Sequence, residues 1–364
     1  MVVEVWIYVV FFFAGIRLIV SMINVLSALH LPSVDTGEDK LVSVLLPARN
    51  EENNLPVLLQ QLSMQTYSNL EILVYDDHST DNTANIVNAF SRKDVRIRLV
   101  PPESLPEGWL GKNFACHKLS QQAKGEVFLF LDADVQVSDT LIANAVGFFN
   151  YNELKLLSIF PSQEMKTWGE WLTVPLMNWI LLSLLPLALV RKSRRPSLAA
   201  ANGQFMMFDA DNYRDNHWHE QVKNNLVEDI IIIRKMKTFG YKTATLLGNN
   251  DVICRMYSSF REGIRGFSKN VIEFFGGSCT VAVVFSILII SGFALPFAID
   301  LGVFAAYLAL IILIRVLISI ASKQSWLKNI YLHIPQMITF VWLVVKGCRV
   351  RRTGKYLWKG RSIG

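Results

Sequence analysis

Cysteine is scarce in this 364-residue chain: there are four, Cys116, Cys254, Cys279 and Cys348, and none stands at a paired spacing. That argues against a disulfide framework and against a cysteine zinc site, and the thiols are expected to be reduced. No Gly-x-Gly-x-x-Gly follows the first apolar strand, which sets aside a nicotinamide-linked dehydrogenase. There is no internal repeat and no low-complexity segment. The N-terminal apolar stretch lacks a basic n-region and a clear small-residue cleavage site, so it reads as an uncleaved anchor rather than a signal peptide.

What the chain has in excess is apolar residues, at 52%, with a positive mean hydropathy that is too high for an ordinary soluble protein. The surplus sits at the ends. Val2 to Ile23 is broken only by Glu4 and Arg17, and Thr280 to Ala298, Leu301 to Ile320 and Ile330 to Val345 form a second cluster. The first two of that cluster approach the ~20 residues needed to cross a bilayer, whereas the third is short and carries Pro335. These runs divide the chain into an anchor at 1–27, a catalytic domain at 41–277, a membrane region at 278–346 and a basic tail at 347–364. Residues 24–40, with Pro32, Asp35, Gly37, Glu38 and Asp39, read as a linker. The net charge of +6 concentrates in the tail, in Lys346, Arg349, Arg351, Arg352, Lys355, Lys359 and Arg361. A basic run abutting a membrane segment points to the cytoplasmic face and anionic lipid, not to nucleic acid. Trp171 to Val190 is apolar enough to span, but it holds Pro175, Asn178 and Pro186 and interrupts the catalytic domain, so it is expected to lie at the interface. Three full C-terminal spans would put the basic tail outside, against the charge rule. The expected resolution is that Ile330 to Val345 is interfacial or re-entrant.

Between the apolar ends, strands and helices alternate, which argues for an α/β fold with a mainly parallel sheet. Strands are expected at Leu41–Leu46, Leu70–Tyr75, Ile97–Val100 and Val127–Leu131, and helices at Asn53–Gln65, Asp81–Phe90 and Phe114–Ala123, with Asp81 as an N-cap. Two strands end in acids, Asp76-Asp77 and Asp132-Ala133-Asp134, and Glu228-Asp229 opens a later helical run. Ligands of such sheets bind outside the carboxyl ends of the strands. Alternate residues of an extended segment face the same way, so Asp132 and Asp134 can aim at one hard divalent ion, Mg²⁺ or Mn²⁺.

The order of Pro47-Ala48-Arg49-Asn50-Glu51-Glu52, Asp76-Asp77-His78-Ser79-Thr80-Asp81, Asp132-Ala133-Asp134 and Glu228-Asp229 resembles the family-2 glycosyltransferases, over roughly residues 41 to 275. Gly108-Trp109-Leu110-Gly111-Lys112 and Trp358-Lys359-Gly360-Arg361 resemble a membrane-bound subset that includes enzymes acting on carotenoid acids and hopanoid-associated lipids. The resemblance implies a GT-A fold, a nucleotide-diphosphate sugar donor, here UDP-linked, a lipid acceptor, and a catalytic domain facing the cytoplasm from the inner membrane.

It also implies roles. Ala48, Arg49 and Glu51 would line the nucleoside, and Asp77 would hold the uracil. Lys112 would act as a point charge on the phosphates, and Trp109 would stack on a ring or simply pack. Asp132 and Asp134 would hold the metal against the diphosphate. Glu228 and Asp229 form the catalytic pair, with Asp229 as the base that gives single displacement with inversion. Gly203, in Asn202-Gly203-Gln204-Phe205, would admit the acceptor, and His219 would contact donor or acceptor. His78 stands where the family commonly has glycine, a position that tolerates left-handed backbone in histidine better than in most residues. The family's Gln-x-x-Arg-Trp element is absent; Arg255-Met256-Tyr257 stands near its place. That favours addition of one sugar over processive synthesis. Arg255 and Lys269 remain candidates to neutralise the diphosphate. A polysaccharide synthase and a silent nucleotide-sugar-binding subunit are the rival readings.

Overall fold

The computed structural model describes residues 2–27, 29–33, 39–353, 356–358 and 361–363. Lys355, Lys359, Gly360 and most of the expected linker, 34–38, lie outside the described residues. The order is α1 (Val2–Leu26), β1 (Val42–Ala48), α2 (Leu55–Ser63), β2 (Leu70–Asp76), α3 (Thr83–Ser91), β3 (Ile97–Val100), α4 (Gly111–Gln122), β4 (Val127–Leu131), β5 (Val135–Val137), α5 (Leu141–Tyr151), β6 (Leu156–Phe160) and β7 (Ser162–Gln163). There follow α6 (Trp168–Thr173), α7 (Pro175–Leu184), α8 (Ala188–Lys192), β8 (Phe205–Asp209), α9 (Ala210–Asn216), α10 (Trp218–Gln221), α11 (Glu228–Thr238), β9 (Thr243–Leu247) and β10 (Val252–Cys254). The chain closes with α12 (Phe260–Asn270), a 3₁₀ turn (Glu273–Phe275), α13 (Cys279–Ile299), α14 (Leu301–Ala321), α15 (Trp326–Tyr331), α16 (His333–Thr353), β11 (Tyr356–Trp358) and β12 (Arg361–Ile363).

The chain divides into two compact units, one of His30–Glu164 with Ala188–Met256, the other of Met1–Leu29, Met165–Leu187 and Tyr257–Gly364. In the first, a seven-stranded sheet has the order β3-β2-β1-β4-β8-β6-β9. Pairs β1–β2, β2–β3, β1–β4 and β6–β9 are parallel, and β8 runs antiparallel to β4 and β6. β1, β4 and β6 are buried at almost every position and are apolar apart from Ser43 and Ser158, whose hydroxyls are hydrogen-bonded, the pattern of strands covered on both faces. A three-stranded sheet, β5-β10-β7, sits at the end of this unit where Asp134 leads into β5. The expected strands and the mainly parallel sheet are found. Helix starts differ: α4 begins at Gly111 rather than Phe114, so Lys112 falls in its first turn. Asp81 is not the N-cap of α3; Asn82 holds that position, and the Asp81 carboxylate instead accepts from the Thr83 N–H (3.0 Å) and hydroxyl (2.6 Å).

The second unit is helical. Three of its helices are long and apolar enough to cross a membrane, Val3–Leu26, Cys279–Ile299 and Leu301–Ala321. Trp171 to Val190 is not one long helix but α6, α7 and α8, broken where Pro175 and Pro186 stand. Its first two helices group with the helical unit rather than with the sheet. Side chains tie them there: Asn24 Nδ2 donates to the Leu182 and Leu185 carbonyls at 2.9 Å each, and Gln336 Nε2 donates to the Trp171 carbonyl at 2.7 Å. Arg17 is buried with its guanidinium 4.6 Å from the Trp179 ring and its Nε 3.2 Å from Ser183 Oγ. Residues 330–345 lie within α15 and α16; Pro335 falls in the first turn of α16, where its missing N–H costs nothing, so the helix runs on unbroken.

Candidate active site

The site is assembled at the carboxyl ends of β1, β2 and β4 and at the start of two helices. β1 ends at Ala48, paired with Asp76 at the end of β2. The Asp77 N–H donates to the Ala48 carbonyl at 2.8 Å, which closes the two strand ends together. Arg49 Nη1 donates to the Asp77 carbonyl at 2.6 Å and lies 3.5 Å from its carboxylate. Asp77 is buried, so this guanidinium supplies the compensation that a buried carboxylate needs. His78 follows in left-handed backbone, φ +51°, as expected for a histidine in a glycine position. Glu51 is fixed through its N–H, which donates to Thr83 Oγ1 at 2.9 Å, and its carboxylate accepts from Asn54.

Lys112 is the hub. Its ammonium lies 2.8 Å from Asp132 Oδ1, 3.0 Å from Asp132 Oδ2 and 3.1 Å from Glu228 Oε1. Burial alone would lower this lysine; Asp132 and Glu228 outweigh it and hold it well above the ordinary value. Asp229, one residue into α11, has both oxygens assigned: Oδ2 accepts from the Gly203 N–H (2.9 Å) and Oδ1 from the Ile230 N–H (2.8 Å). Its carboxyl is nonetheless pushed up to about 7, by burial first and then by Glu228, with the two N–H donors and Lys112 pulling the other way. Gly203 packs tightly against this cluster. A Cβ would lie 3.0 Å from Glu228 Oε1 and 3.1 Å from Lys112 Nζ.

Asp134 is also pushed up, to about 7, by burial, then by Asp132 and Glu51. Several carboxylates crowded against one lysine leave an excess of buried negative charge, and their hard oxygen donors suit a divalent ion whose shell a diphosphate completes. Asp132 and Asp134 therefore fit the metal expected of them.

Of the sequence-predicted residues, Lys112, Asp132, Gly203, Glu228 and Asp229 meet in one cluster. Asp134 adjoins it through Gln204, and Ala48, Arg49 and Asp77 meet at the neighbouring strand ends. His219 stands apart. It is buried, its Nδ1 shares a 2.6 Å hydrogen bond with Tyr213 Oη, and its ring packs 4.7 Å from that of Phe130. Burial, then Lys112 and His117, push it down to about 3, so it is neutral. Trp109 packs on Phe114 and His117 at ring distances of 5.5 and 5.1 Å. Arg255 is exposed just after β10, and Lys269 lies on α12 in the helical unit.

Two residues had no assigned role in the sequence. Gln204 Nε2 lies 3.4 Å from Asp134 Oδ1 and 2.9 Å from Cys254 Sγ, linking the metal triplet to β10. Asn113 donates to the Val222, Lys223 and Asn225 carbonyls at 2.9, 3.3 and 3.0 Å, fixing α4 to the segment before Glu228. All of these bonds join positions far apart in the chain, and no local spacing announces them.

Residues 43–216 match the family described as Glycosyl transferase family 2. The 4,4'-diaponeurosporenoate glycosyltransferase of Staphylococcus haemolyticus is 26% identical over 233 residues, 63% of this chain and 60% of that protein. The UDP-Glc:alpha-D-GlcNAc-diphosphoundecaprenol beta-1,3-glucosyltransferase WfgD of Escherichia coli is 37% identical over 107 residues, 29% of this chain and 38% of that protein. The chain thus spans less than two thirds of each of these relatives. Among solved structures, the mannosyltransferase PcManGT of Pyrobaculum calidifontis, in complex with GDP-Man and Mn²⁺, shares the fold at a TM-score of 0.59 and 17% identity, over 96% of this chain and 99% of that one. Residues 43–216 are thus a glycosyl transferase family 2 domain, in a chain that shares its fold with PcManGT.

Proposed function

We propose that this chain is a membrane-anchored, metal-dependent, inverting glycosyltransferase that moves a sugar from a UDP-linked donor to a lipid acceptor. The observation that carries the reading is the Asp229 carboxylate, held on both oxygens and raised to about 7, beside a lysine that bridges Asp132 and Glu228. A base with a value near working pH is what proton abstraction from a hydroxyl demands.

In this reading the uracil sits at the ends of β1 and β2, with Asp77 accepting its imide N–H and Arg49 holding Asp77 in place. Lys112 faces the diphosphate as a point charge. Gly203, lacking a Cβ, lets donor and acceptor come close to Glu228 and Lys112. Asp229 takes the proton of the acceptor hydroxyl as that oxygen bonds to the anomeric carbon and the bond to the phosphate oxygen breaks, which inverts the centre. Glu228 stays paired with Lys112 and keeps that ammonium oriented. Asp132 and Asp134 would hold a divalent ion, which when bound would supply Lewis-acid stabilisation of the departing diphosphate.

The lipid acceptor rests on two supports. The polypeptide carries three helices suited to a bilayer, and two relatives are named for a carotenoid acid and a diphosphoundecaprenol acceptor. WfgD is named for UDP-Glc, which favours uridine, whereas PcManGT holds GDP-Man, so a guanosine donor is the competing case. The test is nucleotide release by detergent-purified protein from a panel of UDP- and GDP-sugars, with and without Mn²⁺, beside Asp134→Asn. Mn²⁺-dependent UDP release lost in the variant supports the reading. GDP release would reassign the base site, and neither release nor metal-dependent nucleotide binding would favour a silent subunit.

A further inference from the structure

A second constellation of metal-ligating groups lies outside the acids of the proposed reaction. His117 is on α4, His217 sits between α9 and α10, and Glu220 is on α10. One ligand atom from each, a ring nitrogen from both histidines and a carboxylate oxygen, all fall within 4.8 Å of one another. Among the described residues it is the only group of three or more such side chains gathered this closely.

A second observation points to a ligand. His117 is only 9% exposed, yet its Nδ1 is buried without a hydrogen-bond partner. Its Nε2 lies 3.0 Å from Gln121 Nε2. A buried imidazole that spends one nitrogen on an amide and leaves the other bare pays a desolvation cost with no return. A metal-bound histidine has this division of labour, with one nitrogen on the ion and the other on an outer partner; with its amide turned over, Gln121 would present an oxygen to Nε2–H. Among the described residues no lysine or arginine pairs with Glu220, and the nearby Lys118 is paired with Glu103 at 2.7 Å. His217 and Glu220 are exposed, which provides an entry path.

We propose that His117, His217 and Glu220 bind Zn²⁺, with water completing the shell. Two imidazoles and one carboxylate are a borderline donor set that suits zinc, whereas the all-oxygen donors Asp132 and Asp134 suit Mg²⁺ or Mn²⁺. Ligand atoms around a tetrahedral zinc stand about 3.3 Å apart, so small side-chain rotations from the present spacing close the site. The ion would clasp α4 to α10. The start of α4 is already joined to the segment after α10 by Leu110 N–H to the Lys223 carbonyl (2.8 Å) and by Asn113 of α4 to the Val222 carbonyl (2.9 Å); α4 carries Lys112, and that segment leads into Glu228. The zinc is thus a positioning device for the lysine helix, and its binding does not depend on the donor chosen above.

The test uses tag-free, full-length protein in detergent, in an Asp132→Asn/Asp134→Asn background that removes the other metal ligands. Zn²⁺ is titrated against a chromogenic chelator, and Co²⁺ is added as a spectroscopic probe. The expected result is one tight Zn²⁺ per chain and the intense visible bands of tetrahedral Co²⁺. Affinity should fall by at least roughly 100-fold in His217→Asn and in Glu220→Gln. Asn tolerates the left-handed backbone of His217 (φ +47°), and both positions are exposed, so the metal-free variants should melt as the background does. Substoichiometric binding, a weak octahedral Co²⁺ spectrum, or affinity unchanged in both variants would overturn the proposal.

Discussion

Asp229, the proposed base, is buried at a cost in stability. Its folded value of about 7 lies above the ordinary ~3.9 of an aspartate, so the folded state holds its proton more tightly than the unfolded chain does. Stability therefore falls as pH rises from about 4 to about 7, and the full penalty is present above that. Two outcomes follow. The rate of transfer should climb with pH to a plateau above about 7, because only the carboxylate accepts a proton. Asp229→Asn removes the titrating group, keeping an oxygen for the Gly203 N–H while the Ile230 N–H loses its acceptor, so the melting temperature of the variant should fall less between pH 5 and pH 8 than that of the wild type. An equal fall in both would mean that another group carries the pH dependence. At Gly203, an added methyl meets Glu228 and Lys112 at 3.0 and 3.1 Å. Gly203→Ala should lower turnover by roughly 100-fold, with little change in melting, since a small misplacement of reacting groups costs that much.

At the scale of elements, much of the site could be read from the sequence because strand and acid are contiguous. Apolar runs ending in Asp76-Asp77 and Asp132-Ala133-Asp134 locate two strand ends without knowledge of the fold. Glu228-Asp229 at a helix start is legible because acids favour that end. What could not be read depends on contacts between distant segments. The antiparallel insertion of β8 between β4 and β6 carries Gly203 and Gln204 to the acids, and no local pattern encodes strand order. His219 looked available because its neighbours are polar, but Tyr213, Phe130 and Phe208 enclose it from elsewhere. Likewise, Trp171 to Val190 interrupts the catalytic domain in the sequence, and its α6 and α7 group with the helices, where Asn24 and Gln336 donate to their carbonyls. Small residues decide packing in that unit. A Cβ on Gly292 of α13 would stand 2.1 Å from Tyr307 Oη of α14. Gly292→Ala should therefore lower the melting temperature in detergent, by the equivalent of about 1–3 kcal/mol. An unchanged melting point would show that Tyr307 moves aside freely.

At the scale of the whole molecule, the number of membrane crossings decides where the basic tail lies. Three crossings, by α1, α13 and α14, would return the chain after Ala321 to the side that holds residues 30–278. Lys346, Arg349, Arg351 and Arg352 would then face the cytoplasm, which satisfies the charge rule without a re-entrant segment. Labelling of cysteines introduced at exposed positions in 39–160 and 346–352 of intact cells should show both protected from an impermeant reagent, while one at Asp300 is labelled; labelling at 346–352 alone would add a fourth crossing. The central claim is that Asp229 is the base for transfer to a lipid. Its most direct test is nucleotide release in the presence of total membrane lipid, using the sugar donor that the panel selects, compared between wild type and Asp229→Asn. The expected result is a fall of about 10²–10⁴-fold with donor affinity retained; transfer at a near-normal rate in the variant would contradict it.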